Sequence, residues 1–174
     1  PLVAWDGDEP FGVEALEDAG YGEGVRDFPR ASTGVIVGRG NYLGAGTLRL
    51  EQHVRLVEQI LQTVDDLIPS IAPEQLQQLR AQIRGRLDYY GPDVAIGMIP
   101  NLTASRLANR LDLGGPAYTV DAACASSLLA IEQACGLLHS GTCDMMLAGG
   151  VHLTHDLTFW ATFCQLGALS RSQT

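Results

Sequence analysis

The chain has 174 residues, 46% of them hydrophobic, enough for one globular domain with a sizeable core. Its formal net charge is −9, from eleven arginines and no lysine against twenty acids, a balance that repels nucleic acid and anionic membrane and excludes both as partners. No apolar run reaches transmembrane length, no secretory signal is present, and the four cysteines form no CxxC pair, so they read as reduced thiols in a cytoplasmic protein.

Residues 1–30 hold eight of the acids and two arginines and read as solvated surface, with a short helix in "VEALEDAGY" (13–21) closed by Gly20. In "TGVIVGRGNYLGAG" (33–46), the β-branched run Val35, Ile36, Val37 between glycines predicts a buried strand leaving into a loop. That loop lacks Walker and dinucleotide spacing, which favours a structural turn over a phosphate cradle. From Leu50 to Ile68, apolar residues recur at three and four. Pro69 and Pro73 interrupt the pattern, and Leu76, Leu79, Ile83 and Leu87 resume it. Residues 48–88 are therefore expected to form a helical hairpin.

Residues 99–116 predict a helix capped by Asn101 and stopped by Gly114, Gly115 and Pro116. A strand over 117–122, a helix beginning at Cys124 and a glycine-ended strand over 143–151 complete the pattern. Strand, helix and strand with glycine-rich joints argue for α/β layering. The helix after Cys124 is apolar around most of its circumference, which predicts burial on all sides.

Cys124 is thus placed at a strand-to-helix joint. The unpaired amides and positive dipole end of a helix N-terminus favour thiolate over thiol, by roughly 0.3–2 kcal/mol. Acyl transfer also needs an oxyanion hole, to which the Cys124 amide is a candidate donor, and a positioned acid or base. The competing reading is a small buried cysteine that merely follows a strand. The surrounding Ala122, Ala123, Ala125, Ser126 and Ser127 favour a tight, open turn of the kind nucleophile elbows use. Asp121 is expected to anchor backbone donors in this turn, and Ser126 and Ser127 to bond first-turn amides.

"VDAACASSLLAIEQACGLLHSGTCDMMLAGGV" (120–151) resembles the active-site segment of β-ketoacyl synthases, most of all the ketosynthase domains of iterative type I polyketide synthases of the enediyne and polyunsaturated fatty acid kind. "TGVIVGRGNY" (33–42), "PNLTASRLANRLDLGGPAYTVDAACASS" (100–127) and "FCQLGALSRS" (163–172) extend the likeness over residues 31–174. The resemblance implies an α/β, thiolase-like fold, of which 1–174 would be the first half of an α-β-α-β-α layered architecture carrying the hairpin as an insertion. It implies that Cys124 accepts an acyl chain as a thioester, for decarboxylative condensation with a malonyl-type extender. Substrates would arrive on the phosphopantetheine of an acyl carrier protein, with no bound cofactor or metal. It places Phe163 near the acyl pocket. The implied partners are acyl carrier protein, the remaining half of the ketosynthase domain and a second copy in a homodimer.

The family's HGTGT and NxGH histidine motifs do not occur in these residues, nor does its glycine-phenylalanine loop, so the 174 residues alone are expected to be inactive. Histidines nearer to hand do not replace them. His152 and His155 form an HxxH whose third ligand would have to be Asp156 or Cys164, a spacing that is not diagnostic of metal. His53 and His139 are expected to face solvent, and Arg106 and Arg110 to pair with acids or lie at a contact. Two other readings stand beside the enzyme: a non-catalytic half that dimerises or binds acyl carrier protein, and a thiolase-like acyl transferase. Isolated from a second half, the fold is expected to expose an apolar face.

Overall fold

The structure is a computed structural model and describes residues 11–21, 27–40, 45–152 and 157–170. The chain divides into two compact units, Pro1–Asn41 with Pro100–His152, and Tyr42–Ile99 with Leu153–Thr174.

The first unit is built on three parallel strands, β1 (Thr33–Gly38), β2 (Ala117–Val120) and β3 (Met145–Gly150), in the order β2-β1-β3. Strand side chains alternate between faces, and the two faces meet different helices. Val35, Val37, Ala117 and Leu147 pack with Ala104, Leu107 and Ala108 of the helix Leu102–Arg110. Ile36, Tyr118, Val120 and Met146 pack with Ala130, Ala134 and Leu137 of the helix Ser126–His139. The result is a helix–sheet–helix sandwich with β1 at its centre. Val35 and Ile36 are essentially inaccessible to water, and burying each contributes about 1.5–3 kcal/mol. Alanines at the helix faces let the backbones approach closely.

Helix α1 (Phe11–Asp18) carries the buried Leu16. Gly20, at φ 79°, closes it, and the Tyr21 amide returns to the Leu16 carbonyl, as in a Schellman turn.

In the second unit, helices α2 (Ala45–Glu51) and α3 (Val57–Leu67) run through a π-helical turn at Gln52–Leu56. Helix α4 (Pro73–Arg84) starts with proline in its first turn. The Ala72 amide donates to Gln75 Oε1 there. Arg80 and Arg84 both reach Glu58, at 2.7 and 3.5 Å, tying α4 to α3. A short α5 (Pro92–Gly97) follows, and α8 (Leu157–Gln165) belongs to the same unit. His53, expected to face solvent, is instead half-buried with its Nε2 2.8 Å from the Asp88 carbonyl oxygen.

Two expectations in the first unit need correction. The helix read over 99–116 is confined to α6 (Leu102–Arg110), and Asn101, although it is the N-cap residue, does not cap it with its side chain. Asn101 Oδ1 instead accepts the Thr119 amide of β2 at 3.1 Å, because the open edge strand offers a donor. Helix α7 (Ser126–His139) is not buried all round: Ser126, Ala130 and Ala134 face inward, while Leu128 is 70% and Ile131 47% exposed. A three-stranded sheet covers only one side of a helix, so the outer side of α7 is the exposed apolar face anticipated for half of a layered fold.

Candidate active site at the β2–α7 turn

The three strands end level. Gly38 is the register partner of both Val120 and Gly150, so these residues form a row along the C-terminal edge of the sheet. In open parallel sheets this edge is where ligands bind. The chain leaves β2 at Val120 and passes over the row as α7 begins.

Gly38 and Gly150 make that crossing sterically feasible. A Cβ on Gly38 would fall 2.5 Å from the Ser126 carbonyl carbon and oxygen, and one on Gly150 would fall 2.7 Å from Ser127 Cβ. The first turn of α7 therefore rests on bare backbone. In the sequence these glycines read only as strand ends, because their spacing alone does not reveal what passes above them.

The turn itself is tightly specified. Asp121 Oδ1 accepts the Ala123 amide at 3.0 Å, as its position suggested. Ala123 has φ 49°, in the left-handed region that disfavours an L-residue with a side chain. Residues Ala123–Ala125 then form one 3-10 turn, with the Ala125 amide on the Ala122 carbonyl at 3.0 Å. The helix expected from Cys124 begins at Ser126 instead, and Cys124 is the exposed middle residue of the 3-10 turn before it.

Ser126 does not bond forward to first-turn amides. It is buried, and its hydroxyl reaches backward, accepting the Ala122 amide at 2.9 Å and donating to the Ala123 carbonyl at 2.6 Å. Tyr118 on β2 donates to Gln133 Oε1 on α7 at 3.0 Å and fixes the strand against the helix. Following β1, the Arg39 amide bonds the Val120 carbonyl at 2.9 Å, and its guanidinium donates to Thr103 Oγ1 at 2.9 Å. Desolvation of that half-buried guanidinium lowers its pKa.

Exposure alone does not single out Cys124. Cys135 and Cys164 are also exposed, and Cys143 is buried. What distinguishes Cys124 is its place: next to a left-handed residue, in the turn that leads into α7 and at the C-terminal edge of a parallel sheet. Backbone strain of this kind gathers at functional sites because surrounding structure must enforce it.

Phe163 lies on α8 in the second unit, half-buried, with its ring centroid 4.5 Å from that of Phe159. His139 ends α7 and His152 follows β3, both exposed. His155, Asp156 and part of the 38–46 loop fall outside the described residues. Arg106 and Arg110 are exposed on α6.

Residues 11–174 match the family described as "Beta-ketoacyl synthase, N-terminal domain". Polyketide synthase PksN of Bacillus subtilis is 31% identical over 161 residues, covering 92% of this chain and 2% of that protein. Highly reducing polyketide synthase stpks1 of Strobilurus tenacellus is 29% identical over 175 residues, 97% of this chain and 6% of that protein. Mycoketide-CoA synthase of Mycobacterium tuberculosis is 46% identical over 67 residues, 38% of this chain and 2% of that protein. The chain thus spans a few per cent of these curated relatives. Among solved structures, the ishigamide ketosynthase/chain length factor aligns with TM-score 0.47 and 20% identity, over 82% of this chain and 32% of that one. With its parallel α/β unit and its match across nearly the whole chain, the protein belongs to the β-ketoacyl synthase family, as an N-terminal domain of the thiolase-like fold.

Proposed function

We propose that Cys124 is the acyl-accepting nucleophile of a ketosynthase domain in polyketide or fatty acid assembly. The observation that carries this reading is the exposed thiol in the strained β2–α7 turn, within the segment "VDAACASS" (120–127). In the first step the Cys124 sulfur attacks the carbonyl carbon of an acyl thioester held on phosphopantetheine. The carrier's carbon–sulfur bond breaks, the acyl group remains on Cys124, and the carrier thiol leaves with the proton. In the second step a malonyl-type extender loses carbon dioxide, and its α-carbon displaces the Cys124 sulfur to give a β-ketoacyl thioester. One proton is taken up when the extender enters as the carboxylate. No resident cofactor enters this chemistry.

The second step needs acid–base groups for decarboxylation, and the histidine motifs that supply them in the family are absent from these 174 residues. The chain by itself is therefore proposed to accept an acyl group without condensing it. Phe163 is proposed to contribute to the acyl pocket, acyl carrier protein to deliver both substrates, and the domain to work as a homodimer in the cytoplasm, where its thiols stay reduced.

The test is intact-mass and peptide mass spectrometry after incubation with an acyl N-acetylcysteamine thioester. Acylation at Cys124, ahead of Cys135 and Cys164, which are also exposed, supports the reading. Equal labelling of the three exposed thiols rejects it, and release of carbon dioxide from a malonyl thioester by this chain alone rejects the division of labour.

A non-catalytic reading is favoured by one observation, the exposed apolar side of α7 at Leu128 and Ile131. On that reading the chain serves as an assembly half. Association in size-exclusion chromatography without any preferential acylation of Cys124 would select it.

A further inference from the structure

Among the described residues, the buried polar side chains are Thr33 and Ser126. Thr33 Oγ1 donates to the Pro29 carbonyl at 2.7 Å and ties the start of β1 to the turn before it. Ser126 has a different geometry. Its single oxygen bridges the amide of Ala122 and the carbonyl of Ala123, so it closes a ring around the left-handed residue that immediately precedes Cys124.

From this geometry we infer that Ser126 is a positioning residue for Cys124: its hydroxyl locks the Ala122–Ala123 backbone so that the thiol is held at the head of α7. This rests on the reading of Cys124 as the nucleophile. Ala123 is held on both sides, its N–H by Asp121 and its C=O by the Ser126 hydroxyl together with the Ser126 backbone N–H. Without the hydroxyl the Ala122 amide loses this bond and the Ala123 carbonyl keeps only the Ser126 backbone N–H, so the peptide plane leading to Cys124 is held less tightly. Ser126 cannot drift to compensate, because its own peptide is pressed against Gly38. A hydroxyl anchored to the sheet thus sets the backbone torsions leading into the thiol. Loss of a hydroxyl that bonds two backbone groups of the turn also weakens the restraint against relaxation of Ala123 toward the right-handed region.

The experiment compares the wild-type chain with Ser126→Ala and Ser126→Thr. Pseudo-first-order acylation by an acyl N-acetylcysteamine thioester is read separately at Cys124, Cys135 and Cys164, alongside thermal unfolding. The expected result is an about tenfold or greater loss of rate at Cys124 in S126A, with Cys135 and Cys164 unchanged. S126T, which keeps the hydroxyl, returns the Cys124 rate to near that of the wild type. A wild-type rate at Cys124 in S126A overturns the inference, as does an equal change at all three thiols. An S126A chain that does not fold while S126T does assigns Ser126 to folding and also overturns it. If wild-type Cys124 is no faster than the other exposed thiols, it is the nucleophile reading that fails, whatever Ser126 does.

Discussion

Gly38 lies directly beneath Ser126. A Cβ on this glycine would fall 2.5 Å from the Ser126 carbonyl and 2.6 Å from the Ser127 nitrogen, so the central strand ends where the helix carrying the candidate active site begins. The contact is backbone against backbone. No rotamer change relieves it, and only a shift of α7 or β1 makes room.

Gly38→Ala is therefore expected to destabilise the fold by about 1–3 kcal/mol, the usual cost of overpacking. Urea unfolding followed by circular dichroism measures it. The same variant is expected to slow acylation of Cys124 while leaving Cys164 in the other unit unaffected. An unchanged unfolding midpoint would show that α7 sits farther from β1 than described.

Cys124→Ala removes an exposed side chain and is expected to change stability by no more than about 0.5 kcal/mol. Acyl transfer from a thioester donor is expected to disappear from the intact mass. Persistent single labelling in C124A would move the nucleophile to another cysteine.

Tyr118→Phe deletes the hydroxyl that joins β2 to Gln133 of α7 at 3.0 Å. The bond is part-buried and neutral, so its loss is expected to cost about 0.5–1.5 kcal/mol, read from denaturant unfolding. A cost above that range would mean the pair also supports the sheet packing around Ile36.

The two sides of α7 are expected to respond oppositely to substitution. Leu128→Gln, on a 70% exposed side chain, shifts stability by under about 0.5 kcal/mol. Ala130→Leu, at a fully buried position against Ile36, costs about 1–3 kcal/mol. Comparable losses from both would show that this side of α7 is covered in solution.

Glu58→Gln removes the carboxylate shared by Arg80 and Arg84, three side chains that are each nearly half exposed. Solvent screening limits the expected loss to under about 1 kcal/mol, and it should shrink further in high salt. Thermal unfolding at two ionic strengths distinguishes this from a structural role.

How much of this was legible beforehand differs by residue. Val35–Val37 declared a buried strand because β-branched residues between glycines have few other uses, and the glycine-bounded apolar runs near 117 and 145 followed the same rule. Cys124 was legible because local order places a strand, a small-residue turn and a helix in succession. Asn101 stands at the N-cap position as expected, but its side chain does not cap, because it answers to a β2 amide eighteen residues away. Ser126 was expected to bond forward, as hydroxyls at helix starts commonly do, but the left-handed Ala123 turns an amide and a carbonyl back toward it.

Sequence by itself determined the element types, the α/β class, the family and the position of the thiol, because periodicity, glycine placement and short motifs are properties of neighbouring residues. Tertiary structure alone decided which side of α7 is covered and that Gly38 and Gly150 clear a path for it. Those outcomes depend on pairs brought together by sheet register, and no local pattern encodes the distance between a strand end and the helix that crosses it.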